Sequence, residues 1–215
     1  MKNLIYKELK LSVHPTCYLF LPLAAMLLIP SYPYYVAFFY QTLGVFFIFL
    51  NGNVTNDIFF TVLLPIRKRD AVKARFYTVI LFELLQVIVS IPFAILRYRI
   101  LPIENPAGME ANIAFFGLVL MMFGIFNITF LPMFYRTAYK PGTPYLVSCI
   151  AMTVFVGLSE ALINIIPTWK SALDTANAAY FPQQSLVFIV GILLFALLTA
   201  VAYGRSVQHF EKLDL

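Results

Sequence analysis

Six apolar stretches of near-membrane length divide this chain, at about 16–30, 33–53, 76–96, 112–134, 144–166 and 184–204. No other feature restricts the fold as strongly. A helix needs ~20 apolar residues to cross the ~30 Å hydrocarbon layer of a bilayer. Inside lipid, backbone N–H and C=O groups have to be satisfied within the segment itself, which leaves the helix as the form for spans of this length. Composition agrees: the 215 residues are 61% hydrophobic and 12% charged, and a soluble domain carries about twice that charge. The expected fold is an all-α polytopic membrane protein, with residues 1–215 as a single transmembrane domain. The first stretch, between Pro15 and Pro30, is short. It reads as a tilted span, or as one arm of a hairpin closed by Pro30-Ser31-Tyr32-Pro33.

Residues 1–14 read differently. Met1, Ile5, Leu9 and Val13 recur at four-residue steps, with Lys2, Lys7, Glu8 and Lys10 on the other face. That pattern predicts an amphipathic helix lying in the interface, ended by His14-Pro15. Basic residues then set the orientation. With both termini cytoplasmic, only Arg97, Arg99 and Lys170 fall outside, and the other twelve of the fifteen Lys and Arg fall inside. This asymmetry predicts a multi-pass protein of the cell membrane with both ends inside. In the outer loop at 167–183, Ser171 to Ala179 reads as a short external helix between Pro167 and Pro182. The loop at 97–111 reads as irregular.

Several chemistries are excluded by what the sequence lacks. No G-x-x-x-x-G-K-[ST] phosphate loop occurs, so any ATP that powers this chain is bound by another. There is no H-E-x-x-H and no G-x-S-x-G. His14 and His209 stand far apart in sequence, and Cys17 and Cys149 read as buried small hydrophobes. No catalytic and no metal-binding residue is expected. The net charge of +5 is too dispersed for a nucleic-acid partner and suits anionic lipid. No internal repeat supports the inverted-repeat architecture of secondary transporters.

Two acids lie within spans. Glu83, Gln86 and Ser90 share one face of the third span. Thr153, Gly157, Glu160 and Asn164 share one face of the fifth. Ionisable residues at such depth face a bundle interior or a wet cavity and are candidates for a translocation path or gate. The competing reading is hydrogen bonding between packed helices. Asn127 in the fourth span joins this candidate set. Gly44, Gly52, Gly117 and Gly124 read as points of close helix approach, and the phenylalanines of the second span as a lipid-facing or packing surface.

The segment at 54–75 interrupts the spans with Arg67, Lys68, Arg69, Lys73 and Arg75. Asn56-Asp57 is suited to cap a short helix from Ile58 to Leu64. Pro65 stops that helix, and Asp70 begins the helix of the third span, which Lys73 and Arg75 hold at the interface. An ordinary positive-inside loop would have this charge. It would not need Phe59, Phe60, Val62 and Leu63, whose apolar surface calls for lipid or a partner.

These residues resemble the type-two permeases of bacterial ATP-binding-cassette exporters. A small branch of that family opens with a short interfacial helix, here Lys2 to Lys10. After the second span it carries a segment like Leu64-Pro65-Ile66-Arg67-Lys68-Arg69-Asp70-Ala71-Val72-Lys73-Ala74-Arg75-Phe76. The chain departs at Arg67 and Arg75, where many relatives have Ser or Thr and Lys respectively. The resemblance implies a permease subunit whose coupling helix meets a separate ATPase through Asp57, Phe59, Phe60, Leu63, Leu64, Arg67, Arg69 and Asp70. ATP and Mg would sit on that partner. A second permease, identical or paralogous, would complete the pore. Amphipathic peptides such as phenol-soluble modulins, bacteriocins or other toxins and antibiotics would be the exported cargo. Two other classes stay open: a proton-coupled carrier using Glu83 and Glu160, and a membrane anchor for a soluble partner.

Overall fold

Helices account for all described secondary structure. The computed structural model describes the chain except residues 1, 30, 56, 58, 59, 61, 62, 64, 65, 101–104, 138, 139, 176 and 213–215, and gives the backbone alone for 2 and 178. The elements in order are α1 (Lys2–Lys7), a π-helical turn (Glu8–Ser12), α2 (Thr16–Phe20), a 3₁₀ segment (Leu21–Leu28), α3 (Tyr35–Val54) and α4 (Lys68–Ile100). Next come α5 (Ile113–Arg136), α6 (Gly142–Ile165), α7 (Pro167–Leu173), a 3₁₀ turn (Ala178–Tyr180) and α8 (Phe181–Glu211). Among the described residues, α3, α4, α5, α6 and α8 are long and apolar enough to cross a membrane.

The short first stretch is accommodated by its geometry. Its 3₁₀ part rises ~2.0 Å per residue, against 1.5 Å in an α-helix. Thirteen residues, Thr16 to Leu28, thus extend roughly 24 Å rather than roughly 20 Å. Ahead of them, the helix at 3–12 meets the helix at 16–28 at an angle of 80°. That bend falls at His14-Pro15, where the sequence places the end of the amphipathic helix.

α5 is the centre of the bundle. The apolar part of α5 is 72% buried, against 17% in α6 and 22% in α8, which show their apolar faces outward. α5 and α8 form the most extensive contact, because glycines meet there. A Cβ on Gly117 would stand 2.7 Å from Phe188 Cα, and one on Gly191 would stand 2.7 Å from Gly117 Cα. Gly124 faces Phe195 of the same helix, and Gly44 faces Cys17 of α2, so these expected points of close approach are found. α3 meets α5 through rings: Phe38 on Phe115 and Phe123, and Phe49 on Phe130 and Phe134. The aromatic face of the second span is therefore largely a packing surface.

Boundaries differ from expectation in α4, in the short outer helix and in α8, which runs Phe181–Glu211 rather than about 184–204. α4 extends from Lys68 to Ile100 and is about 50 Å long at 1.5 Å per residue, so it projects beyond a ~30 Å hydrocarbon layer. The short helix between the last two long ones is Pro167–Leu173, not Ser171 to Ala179. Pro167 stands at its first position with a preset φ. Its end is fixed by side chains: Asn112 Nδ2 donates to the Leu173 and Thr175 carbonyls, and Gln184 Nε2 to those of Ala172 and Thr175.

Candidate functional site

Among the described residues, a dense cluster of charge lies where α1, the π-helical turn, Asp57 and the start of α4 converge. Arg75 is at its centre, within a wall of α3. Its Nε lies 2.6 Å from Glu8 Oε2, and its Nη2 lies 2.5 Å from Asp57 Oδ2 and 3.3 Å from Glu8 Oε1. Lys7 Nζ donates to Asp57 Oδ1 at 2.5 Å, and Ser12 Oγ to Asp57 Oδ2 at 3.3 Å. The guanidinium stacks over Phe49, 5.5 Å from the ring centre. Gly52 clears space beside it: a Cβ there would stand 3.4 Å from Nη1. Glu8 and Arg75 are both buried. Two cations and two anions balance, and each buried carboxylate has a planar or ammonium partner, which such burial requires. Burial raises the pKa of Asp57, but Arg75 and Lys7 outweigh it and hold the carboxyl below its ordinary value.

Two sequence expectations are corrected here. Glu8 does not lie on a solvated face of the first helix: the π-helical turn aims both Glu8 and Ser12 inward. Arg75 does not reach out to the interface. It is drawn inward onto two carboxylates, while Lys73 stays exposed beside Tyr77.

Of the residues expected to meet a partner, Phe59 and Leu64 lie outside the described residues. Asp57, Phe60 and Leu63 are helical. Phe60 is 62% exposed and Leu63 67% exposed. Arg67 is exposed, and its carbonyl accepts from the Asp70 N–H at 2.9 Å, opening α4 with an acid in the first turn. Arg69 is exposed and 3.7 Å from Glu211 of α8, a surface pair of small energetic weight. The structure thus brings apolar Phe60 and Leu63 and basic Arg67 and Arg69 to the end of the bundle that holds the Arg75 cluster.

The candidate path residues divide into separate groups. Glu83, Gln86, Ser90 and Asn127 are buried inside the protomer. Asn127 Nδ2 donates to Glu83 Oε2 at 2.9 Å and to Thr199 Oγ1 at 3.1 Å, joining α4, α5 and α8. Ser90 bonds its own helix at the Val87 carbonyl, and Gln86 Nε2 reaches the Ala37 carbonyl of α3. Glu160 is at the other end, half-buried, and accepts the Met109 N–H at 3.0 Å. A Cβ on Gly108 would lie 3.2 Å from Glu160 Oε1. Asn164 is exposed and donates to the Glu160 carbonyl; Thr153 and Gly157 are exposed as well.

That end has its own polar layer. Arg97, expected in an outer loop, is buried in the last turns of α4, 3.6 Å from Glu110 and over the Tyr34 ring. Glu110 also accepts the Asn105 N–H, and its own N–H donates to Asp174. Lys7, Glu8, Ser12, Arg75, Thr199, Arg97, Glu110 and Asp174 were all missed as site residues. Glu8, Asp57 and Asp70 are the three acids of the first 75 residues, against eight basic residues, and that scarcity marks each as a candidate partner for a basic residue. Arg97 and Glu110 offered no comparable pattern.

The model of the ABC-2 family transporter proteins matches residues 3–211. The chain belongs to that family. ABC-2 permeases are membrane subunits that are not themselves the ATPase, so membership implies a separate ABC ATPase partner and a bilayer. The ABC-2 chain is accordingly a multi-pass membrane permease. No curated protein and no solved structure matches it.

Proposed function

We propose that this ABC-2 permease is half of an exporter, and that the segment from Asp57 to Asp70 is the coupling helix on which its ATPase docks. One observation carries the reading. Phe60 and Leu63 keep their apolar side chains largely exposed, a few residues ahead of exposed Arg67 and Arg69 in a stretch rich in Lys and Arg. Basic residues collect on the cytoplasmic side, so this stretch and both termini face the cytoplasm. Exposed apolar anchors ringed by charge are what an interface centre uses. ATP and Mg belong to the partner.

Two permeases, identical or paralogous, would enclose the path. The uncovered faces of α6 and α8 provide the surface for the second copy and for lipid. Cargo entering from the inner leaflet between such faces would be amphipathic: a peptide, toxin or antibiotic with one apolar side. A proton-coupled carrier is less well supported. Glu83 is sealed on Asn127 and Glu160 holds a loop, in two clusters with different partners. We assign Glu83, Gln86, Ser90 and Asn127 to bundle packing. Glu160 and Asn164, near the open face of α6, remain the better positions for a gate.

The test uses inside-out vesicles bearing the permease with its ABC ATPase subunit and a fluorescent synthetic amphipathic helical peptide. The Phe60→Ala, Leu63→Ala double variant should insert normally but lose ATP-dependent peptide uptake and co-purification of the ATPase. Interface anchors commonly cost more than ~2 kcal/mol on truncation. Wild-type uptake and co-purification by the double variant would refute the docking assignment.

A further inference from the structure

We infer that Arg75 is a positioning residue that joins the first helix, the coupling segment and the third span into one rigid lever. This inference rests on the coupling reading above. Phe60 and Leu63 could bind a partner without moving anything in the bilayer, if the segment that carries them were loosely tied. It is not loosely tied at its start. Asp57 stands at that start, and both its carboxylate oxygens are held: Oδ2 by Arg75 and Ser12, Oδ1 by Lys7. The same guanidinium grips Glu8 with a second nitrogen. Arg75 lies two turns inside α4, a continuous helix from Lys68 to Ile100. A force on Asp57 therefore has a direct side-chain route to a long membrane helix, through one planar cation.

The chemistry explains why an arginine serves here. A guanidinium presents donors in a fixed plane and can hold two carboxylates in fixed relative directions. A lysine offers one freely rotating ammonium and fixes neither angle. Phe49 supports one face of the plane, and Gly52 leaves the room for Nη1. The first helix is part of the same body, since Lys7 and Glu8 are successive residues that grip Asp57 and Arg75 in turn. Amphipathic and set at 80° to the helix at 16–28, it would slide along the inner leaflet as the third span moves.

The experiment places nitroxide pairs on Asn3 and Tyr77, and on Thr55 and Tyr77, all exposed positions outside the proposed docking anchors. The full chain is used with its ABC ATPase subunit in nanodiscs, with Cys17 and Cys149 replaced by alanine. Both distance distributions should be narrow and the same in nucleotide-free and vanadate-trapped complexes. Arg75→Gln should broaden both and lower peptide-stimulated ATP hydrolysis roughly 2- to 30-fold, the range for changes along a coupling network. Arg75→Lys should recover hydrolysis only in part, because it restores charge without the plane. Distances that shift between states in the wild type would overturn the lever, as would wild-type distributions in Arg75→Gln. If Arg75→Gln fails to assemble, Glu8→Gln replaces it, since Glu8 ties the first helix to Arg75: broadening of the Asn3 pair supports the inference and an unchanged pair overturns it. Fixed distances without any peptide stimulation would leave the lever standing and reject the proposed cargo. Shifting distances with stimulation intact would do the reverse.

Discussion

Replacing Gly117 with alanine tests the central contact of the bundle. The new Cβ would lie 2.7 Å from both Phe188 Cα and the Val187 carbonyl oxygen. Carbon pairs rest at ~3.5–4.0 Å, so α5 and α8 would have to part by roughly 1 Å. The obstacles are backbone atoms, and no rotamer change relieves them. A gap of ~0.5–1 Å forfeits a quarter to a half of each dispersion contact. Overpacking by one methyl costs about 1–3 kcal/mol, and alanine returns at most about 1 kcal/mol through helix propensity. Because this is the most extensive helix contact in the protein, the expected net loss is about 2 kcal/mol. Gly157→Ala is the internal control. Nothing lies within 4 Å of its added Cβ, so it should be neutral or stabilising by up to about 1 kcal/mol. Both variants would be unfolded thermally and by denaturant in the same micelles. Equal stability of the two would refute the close-approach argument.

Arg75→Leu removes the guanidinium from buried Glu8 and should cost about 3–5 kcal/mol, whereas Lys7→Gln, at a partly exposed position that leaves Asp57 paired with Arg75, should cost at most about 1 kcal/mol; denaturant midpoints check both. Asp57 titrates below its ordinary 3.8, so its contribution is complete above about pH 4 and is lost as pH falls through the folded value. Unfolding of the wild type should steepen in that acid range, and unfolding of Asp57→Asn should lack the component. Glu83→Gln keeps an acceptor for Asn127 and should alter stability by less than about 1 kcal/mol, the scale of hydrogen bonds between membrane helices. Peptide uptake by that variant should keep the wild-type pH profile, and a lost or shifted profile would return Glu83 to the transport path.

The long helices were legible because lipid imposes length and apolarity directly on sequence. α3, α5 and α6 fall where the apolar runs predict them. Gly117 and Gly124 were legible as contacts for a related reason: small residues in an apolar helix have few other uses. The partners of charged residues were not legible. Lys73 and Arg75 look alike in the string, two residues apart on one basic segment. Only the fold shows that Lys73 faces outward while Arg75 meets Glu8, 67 positions away. Propensity favours a short helix at 171–179, whereas the helix is Pro167–Leu173. What stops it earlier is Asn112 and Gln184, remote side chains that bind its last carbonyls.

α4 carries a buried arginine near each end, and the spacing has a mechanical consequence. Arg75 and Arg97 are about 33 Å apart along the helix at 1.5 Å per residue, close to the ~30 Å hydrocarbon thickness. Each meets carboxylate and an aromatic face: Glu8, Asp57 and Phe49 at one end, Glu110 and Tyr34 at the other. Between them, Glu83 is tied to Asn127 and through it to Thr199. A helix held at both membrane edges cannot slide along its axis without breaking buried ion pairs, each too costly to leave open. It can tilt with its neighbours, or bend. Bending is favoured at Pro92, inside the helix and between Glu83 and Arg97, because proline removes a backbone hydrogen bond there. Movement imposed at Arg75 would therefore carry the length up to Pro92 as one body and leave the Arg97–Glu110 end in place as the fulcrum.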